Sequence, residues 1–176
     1  MKPEQDKTLE GLQTAIQMES EGKEFYLKAS QQSGNEAGRK LLETLAAEED
    51  IHRRKFEEIY EAIRNQQAWP KTDFRPDGGR GLRTIFAQAT DKLGTGIKAA
   101  QSELDAVQTA MDMEGKTHDF YQAQSKHATY DAQRDFYEAL AGQEREHQLI
   151  LLDYYEYLKD PAGWFVSHEH PTLDGG

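Results

Sequence analysis

An internal repeat is the feature that most restricts how this chain can fold. Residues 9–64 align without a gap against residues 104–159, an offset of 95 positions, and 18 of the 56 aligned pairs are identical. Average amino-acid composition would produce an identity at only about one position in sixteen. The chain therefore contains two copies of one structural unit, and its fold must place two equivalent units side by side.

Each copy is predicted to form two helices joined by a short turn. Proline is absent from residues 4–69 and 77–160, and both stretches are rich in the strong helix formers Ala, Leu, Glu, Gln and Lys. One polar patch interrupts each stretch, SQQSGNEAG at 30–38 and SKHATYDAQ at 125–133. The pattern predicts four helices, near residues 6–31, 35–66, 100–127 and 130–159.

The two helix pairs are expected to pack together as a four-helix bundle. A helical hairpin buries its apolar stripe best against a second hairpin, so the predicted fold is all-α. Within the connection between the pairs, LRTIFAQATDKL is a candidate for a short helix, and an irregular tail is predicted at 160–176. The bundle domain is assigned to residues 1–159, with hairpin repeats at 8–64 and 103–159 and a long crossover at 65–102.

Charge and composition exclude several classes of function. The chain has 21 Lys and Arg against 32 Asp and Glu, and its net charge of −11 argues against binding nucleic acid or an anionic membrane. It contains no cysteine, which excludes disulfides, thiolate zinc sites, Cys-ligated iron–sulfur clusters and a thiol nucleophile. No apolar run approaches the roughly 20 residues of a membrane span, and MKPEQDKTLEGL lacks the apolar core of a signal peptide. We therefore expect a cytoplasmic protein.

An ionisable residue lies in the middle of the apolar stripe of every bundle helix. The first and third helices each carry one glutamate there, and the second and fourth each carry a Glu-x-x-His pair, whose members are one turn apart on one face. Four carboxylates facing one another in a core would be costly, and two divalent cations would balance their charge. This is the ligand set of ferritin-like dimetal carboxylate bundles, formed here by Glu19, Glu49, His52, Glu114, Glu144 and His147.

The residue types favour particular metals. Carboxylate oxygens with one imidazole per metal suit iron or manganese better than a tetrahedral zinc site. A single Glu-x-x-His is a weak signal, but two copies in the same register of a repeat are far less probable by chance. The alternative is four surface glutamates with two ordinary core histidines, and the Leu, Ile and Phe residues that flank them argue against it.

Other polar residues near the stripe have more than one interpretation. Tyr26 and Tyr121 each follow a stripe glutamate by seven positions, so we expect buried phenols hydrogen-bonded to ligand carboxylates, with ordinary packing as the alternative. His118 is a possible extra ligand, although its counterpart in the repeat is Lys23, which favours a surface or supporting position. The remaining candidates are predicted to be solvated: Glu21, Glu24, Glu48, Glu146, His168 and His170.

At these residues the sequence resembles the rubrerythrin-like branch of the ferritin-like superfamily. MESEGKEFY and MEGKTHDFY resemble that family's Glu-then-Phe/Tyr signature, and LAAEEDIHRRKF and LAGQEREHQLIL resemble its Glu-x-x-His helices. The resemblance covers both hairpins and implies a ferritin-like bundle with a non-haem di-iron centre. In that centre Glu49 and Glu144 would bridge, Glu19 and Glu114 would be terminal ligands, and His52 and His147 would each hold one metal.

The resemblance also implies an activity and partners. The reduced centre would react with peroxide or dioxygen in oxidative-stress defence, and the protein would be a homodimer. Full-length rubrerythrin carries a four-cysteine rubredoxin domain, so we expect a separate, rubredoxin-like electron donor here. Thr117 stands where full-length rubrerythrin has an additional glutamate, which makes the six-ligand set similar to that of ferritins and bacterioferritins. The alternatives are ferroxidase or iron-handling activity, manganese or mixed-metal occupancy, and a non-catalytic metal-binding bundle.

Overall fold

Six α-helices make up most of the computed structural model, which describes residues 2–169. No strand occurs among those residues, so the predicted all-α fold is confirmed. None of these helices combines the length and the apolar composition needed to cross a bilayer. The helices are α1 (Pro3–Gln32), α2 (Glu36–Arg64), α3 (Arg80–Leu93), α4 (Gln101–Lys126), α5 (Asp131–Lys159) and α6 (Pro161–Glu169).

The turn inside each hairpin lies within the polar patch predicted for it. Asn35 caps α2, because its side-chain oxygen accepts a hydrogen bond from the Gly38 backbone N–H at 2.7 Å. At the start of α5, Gln133 Oε1 accepts from the backbone N–H groups of Thr129 and Tyr130 at 3.0 and 3.3 Å. Side chains of the turns thus satisfy N–H groups that the helix starts leave without a partner.

Two separate apolar clusters fill the bundle along its length. The first cluster contains Leu45 and Tyr154, and the second contains Phe56 and Tyr137. Along α1 and α5 the chain passes from the second cluster to the first, whereas along α2 and α4 it passes from the first to the second. The four long helices therefore run up, down, down and up.

The crossover follows from this arrangement, because α2 ends beside the second cluster and α4 begins beside the first. It must therefore span the bundle, and it contributes apolar residues on the way. Trp69 packs against Phe136 and Tyr137 in the second cluster, with ring centroids 6.0 and 5.8 Å apart. The short helix predicted in the crossover is present as α3, and it buries Leu82 and Phe86 in the first cluster.

The C-terminal tail differs from the prediction, because it is helical as far as the structure describes it. Pro161 begins α6, a position that suits the fixed φ of proline. The Trp164 indole N–H donates to Asp153 Oδ1 at 2.7 Å, and its ring packs edge-on against Phe86 and Tyr157. These contacts with distant residues stabilise the helix. Met1 and residues 170–176 lie outside the described part of the chain.

Candidate metal centre

A layer of carboxylates and imidazoles separates the two apolar clusters halfway along the bundle. Each of the four long helices contributes one or two residues to it, from positions within its apolar stripe. The layer has six residues in all, and each is at most 3 % exposed. We call this set the carboxylate layer, and it consists of Glu19 on α1, Glu49 and His52 on α2, Glu114 on α4, and Glu144 and His147 on α5.

The carboxylate layer contains two overlapping groups of four potential ligands. In each group, one ligand atom from every residue lies within 4.8 Å of the others. Glu49 and Glu144 belong to both groups, as expected for residues placed between two metals. The first group adds Glu19 and His52, and the second adds Glu114 and His147.

The internal repeat gives the layer an approximate two-fold symmetry. His52 Nδ1 lies 3.3 Å from Glu19 Oε2 and 3.2 Å from Glu144 Oε1. The corresponding distances from His147 Nδ1 are 3.3 Å to Glu114 and 3.2 Å to Glu49. The rings of His52 and His147 are stacked, with an interplanar angle of 11° and centroids 5.9 Å apart.

Several carboxylate oxygens of the layer have no hydrogen-bond donor. Among residues 2–169, nothing donates to Glu49 Oε1, Glu114 Oε2 or either side-chain oxygen of Glu144, although all four atoms are buried. Leaving a buried polar atom unpaired costs about 1–3 kcal/mol, and more when the group is charged. Cations placed between these oxygens would satisfy them. Hard oxygen donors with one imidazole per position fit two iron or manganese ions.

Two tyrosines orient the carboxylates from the opposite hairpin. The Tyr26 hydroxyl donates to Glu114 Oε1, and the Tyr121 hydroxyl donates to Glu19 Oε1. The sequence predicted a carboxylate partner for each buried phenol, and the structure shows that the partner lies across the hairpin interface. Burial, together with repulsion from nearby glutamates, raises the pKa of both phenols well above the usual value, so both remain hydrogen-bond donors.

The pKa values of the carboxylates in the layer are shifted in different directions. Burial and repulsion from neighbouring glutamates raise the pKa of Glu49 and of Glu144 well above the ordinary range. Burial alone would also raise the pKa of Glu114, but attraction to His147 and hydrogen bonds outweigh it and lower that pKa. Burial lowers the pKa of His147, but attraction to Glu114 and hydrogen bonds with Glu114, Glu48 and Glu49 outweigh it and raise that pKa well above the usual value. The layer without metal therefore retains protons where a metal-loaded layer must release them.

Two further residues contact the outer nitrogens of the histidines, and sequence analysis missed both. Gln143 Oε1 lies 2.9 Å from His52 Nε2, and Glu48 Oε2 lies 2.5 Å from His147 Nε2. The Gln143 amide also donates to Glu48 Oε2 at 3.2 Å. Glu48 was predicted to be solvated because it lies outside the apolar stripe, yet its side chain is only 21 % exposed. The repeat could have indicated this pair, because positions 48 and 143 are counterparts and each directly precedes the glutamate of a Glu-x-x-His pair. We call Glu48 and Gln143 the outer pair.

A glycine on α1 leaves room for one of the shared carboxylates. A Cβ added at Gly22 would lie 2.8 Å from Glu49 Oε2, closer than such contacts normally allow. Its repeat counterpart, Thr117, donates its hydroxyl to the backbone oxygen of Met113 at 3.0 Å. The position that holds an additional glutamate in full-length rubrerythrin is therefore occupied here by a side chain bonded to its own helix.

His118 belongs to neither group of potential ligands. It lies one turn after Glu114 but is rotated about 40° from it around the helix. Its Nδ1 lies 3.1 Å from Asp119 Oδ1, and its side chain is 22 % exposed, so the structure does not support an extra ligand at this position. Its counterpart Lys23 forms an ion pair with Asp50 at 2.9 Å.

His168, in the C-terminal segment, belongs to neither group of potential ligands. His168 stacks on Trp164 with ring centroids 4.1 Å apart, and its Nε2 lies 3.2 Å from Asp153 Oδ1. It is a surface residue, as predicted. His170 lies outside the described residues.

Comparison with known proteins agrees with this geometry. A family model described as Rubrerythrin matches residues 10–155, a range that includes nearly all of both hairpins, the crossover and every residue of the carboxylate layer. No curated protein and no solved structure matches the chain. The matched range covers most of the 176 residues, and within it the duplicated hairpins bury a Glu/His layer suited to metal ions. On this evidence the chain belongs to the rubrerythrin family.

Proposed function

We propose that this protein is a non-haem di-iron oxidoreductase that reduces peroxide, or dioxygen, in oxidative-stress defence. The observation that carries the proposal is the carboxylate layer, where Glu49 and Glu144 are shared by two groups of potential ligands. Buried carboxylate oxygens without hydrogen-bond donors support two cations at this place. Membership of the rubrerythrin family supports iron as the metal.

The proposed ligand roles follow the two groups. Glu49 and Glu144 would contact both metals, while each remaining glutamate and histidine of the layer would contact one. Two ferrous ions bound there would supply two electrons, which together with two protons from solvent would reduce hydrogen peroxide to two water molecules. The ligand assignment is Glu19 and His52 for one metal and Glu114 and His147 for the other.

The protein contributes orientation and protection from bulk water. Tyr26 and Tyr121 each donate a hydrogen bond to one carboxylate oxygen, which limits the rotation of that carboxylate. Phe74 of the crossover lies edge-on against His52, with ring centroids 5.5 Å apart, and covers this side of the layer. The apolar clusters above and below the layer keep the local dielectric constant low, which strengthens charge interactions within it.

The electrons would come from a separate protein. These 176 residues contain no cysteine, so they cannot form the four-thiolate iron site of a rubredoxin. We propose a rubredoxin-like donor that docks from outside the bundle. The homodimer implied by the resemblance stays a prediction, which sedimentation equilibrium of the purified chain tests.

Ferroxidase activity is the second candidate, and one observation favours it. Thr117 bonds to its own helix, so within residues 2–169 the layer offers six potential ligands, four of them carboxylates, and no fifth carboxylate beside Glu114. A ferroxidase would use dioxygen to oxidise ferrous iron and then release the ferric product.

Metal titration followed by rapid mixing tests the proposal. Anaerobic titration of the metal-free protein with Fe(II) should saturate at two ions per chain, and saturation at zero or one would contradict a dinuclear site. Hydrogen peroxide should then oxidise the loaded protein faster than dioxygen does. The opposite order favours the ferroxidase, and no oxidation by either reagent favours a non-catalytic metal-binding bundle.

A further inference from the structure

The outer pair breaks the two-fold symmetry that the rest of the layer obeys. Around the inner nitrogens, the paired distances from His52 and His147 to the carboxylates agree at 3.3 and 3.2 Å. At the outer nitrogens, His147 faces a carboxylate and His52 faces an amide oxygen. The two histidines thus have equivalent inner contacts and different outer contacts.

The hydrogen bond within the outer pair fixes this difference. The Gln143 amide nitrogen donates to Glu48 Oε2, so the amide oxygen is the atom turned toward His52. Both outer nitrogens then face acceptors, so each Nε2 keeps its hydrogen as a donor when a metal takes the place of a hydrogen on Nδ1. Both Nδ1 atoms already face the carboxylate layer, so each imidazole is oriented as a ligand.

A carboxylate and an amide do not affect a histidine equally. An ionised acceptor forms a stronger hydrogen bond than a neutral one, and a carboxylate partner raises the basicity of a metal-binding imidazole. Loss of such an outer contact typically lowers metal affinity about 10- to 100-fold. The contact to Glu48 is also shorter than the contact to Gln143, at 2.5 Å against 2.9 Å.

We propose that Glu48 and Gln143 are positioning residues that make the two metal positions unequal, so that the position at His147 fills before the position at His52. The inference rests on the proposed dinuclear site and adds an order of occupancy to it. Sequential binding alone does not show this inequality, because repulsion between cations separates the two steps even in a symmetric site. The test must therefore report which position fills.

Exchange of the two residues provides that test. The variant E48Q/Q143E conserves composition and net charge while it reverses which histidine faces the carboxylate. Crystals of the full chain grown with one equivalent of Co(II) per chain report occupancy at each position through anomalous scattering. In the wild type we expect about tenfold higher occupancy beside His147, and in the exchanged variant the same preference beside His52.

Single variants and a matched control complete the experiment. E48Q places an amide at both outer nitrogens and should make the two occupancies nearly equal, so it tests the inference even if the exchanged variant does not fold. E146Q removes one negative charge from a residue whose side chain pairs with Arg83 and forms no hydrogen bond with either histidine, so it should leave the wild-type preference intact. If E146Q reduces the difference in occupancy between the two positions as much as E48Q does, then net charge, and not the contact to the outer nitrogen, causes the difference.

The outcomes separate this inference from the proposed function. Equal occupancies in the wild type, or a preference that stays beside His147 after the exchange, would overturn the inference while leaving a dinuclear site in place. Two empty positions in the wild type at excess Co(II) and Fe(II) would overturn both proposals. A preference that moves with the carboxylate supports the inference.

Discussion

Two glutamates of the carboxylate layer respond to similar burial in opposite ways. Glu144 is surrounded by other carboxylates, and its pKa is raised first by burial and then by their repulsion. Glu114 lies near His147 and accepts a hydrogen bond from Tyr26, and these contacts outweigh burial and lower its pKa. One residue therefore destabilises the metal-free fold when it is ionised, and the other stabilises it.

The pH dependence of stability follows from these signs. For Glu144, the folded pKa is above the ordinary glutamate value of about 4.3, so its contribution is fully present below that pH and is lost as pH rises through the folded value. For Glu114, the folded pKa is depressed, so its contribution is present above the ordinary value and is lost as pH falls through the folded value.

We therefore predict opposite effects of two isosteric substitutions on the metal-free protein. At pH 7, Glu144→Gln should raise the melting temperature and Glu114→Gln should lower it, by about 2–4 °C for each kcal/mol involved. Near pH 4 the effect of Glu144→Gln should disappear. Thermal melts in the presence of a chelator measure both effects, and equal shifts of the same sign would refute the opposed environments described for these residues.

Substitution of Gly22 by alanine is predicted to weaken metal binding while the protein still folds. In Gly22→Ala, the new methyl group would push the Glu49 carboxylate aside, since its Cβ would lie 2.8 Å from Oε2. We expect the affinity for at least one of the two metals to fall about tenfold or more. Gly142→Ala is the matched control, because nothing lies within 4 Å of a Cβ there. Calorimetric titration with Mn(II) compares the two, and equal affinities would show that Gly22 is not needed for the position of Glu49.

At the scale of the elements, α6 illustrates a helix that depends on its packing. It is only nine residues long, and so short a helix has little stability in water without partners. The partners come from α3 and α5, through Phe86, Tyr157 and Asp153. The local sequence could not predict them, and this is why the segment was expected to be irregular.

Removal of the Trp164 side chain should therefore destabilise the fold without affecting the metal centre. For Trp164→Ala we expect a loss of about 2–3 kcal/mol, less than the 3–5 kcal/mol of a fully buried tryptophan. Val166→Ala, in the same helix at a position 58 % exposed, should change stability little. Urea unfolding gives the stabilities, and Fe(II) stoichiometry should stay unchanged in both variants. A loss of metal from Trp164→Ala would mean that α6 supports the centre directly.

Other elements were predictable from the sequence because their signals are local or repeated. The four long helices follow from helix-forming composition and proline placement, and the six layer residues follow from their spacing within a repeat. Glu48 was missed because periodicity on one helix cannot show a contact with His147 on another hairpin. For the same reason, the sequence predicted a carboxylate partner for Tyr26 and for Tyr121 but not which carboxylate, because each partner lies on the opposite hairpin.

At the scale of the whole molecule, metal binding and folding stability should be coupled. The unfolded chain cannot assemble ligands from four helices, so a metal that binds the folded state stabilises it. At a free metal concentration about 100 times the dissociation constant, each site adds about 2.7 kcal/mol. Melting with and without Mn(II) at pH 7 measures this gain. If Mn(II) raises the melting temperature of a variant with Glu49→Gln and Glu144→Gln as much as that of the wild type, the metal binds elsewhere.

The composition of the two ligand groups has a consequence for how the molecule could be divided. Each group takes three residues from one hairpin and a single glutamate from the other, Glu144 or Glu49. Neither half of the chain can therefore complete a metal position by itself. A cut in the exposed chain between Thr95 and Gly96 would give two fragments, and each fragment would supply one carboxylate to the ligand group of the other. A metal bound in the layer would then act as a cross-link between separate polypeptides, and a chelator should weaken their association far more than it destabilises the intact chain.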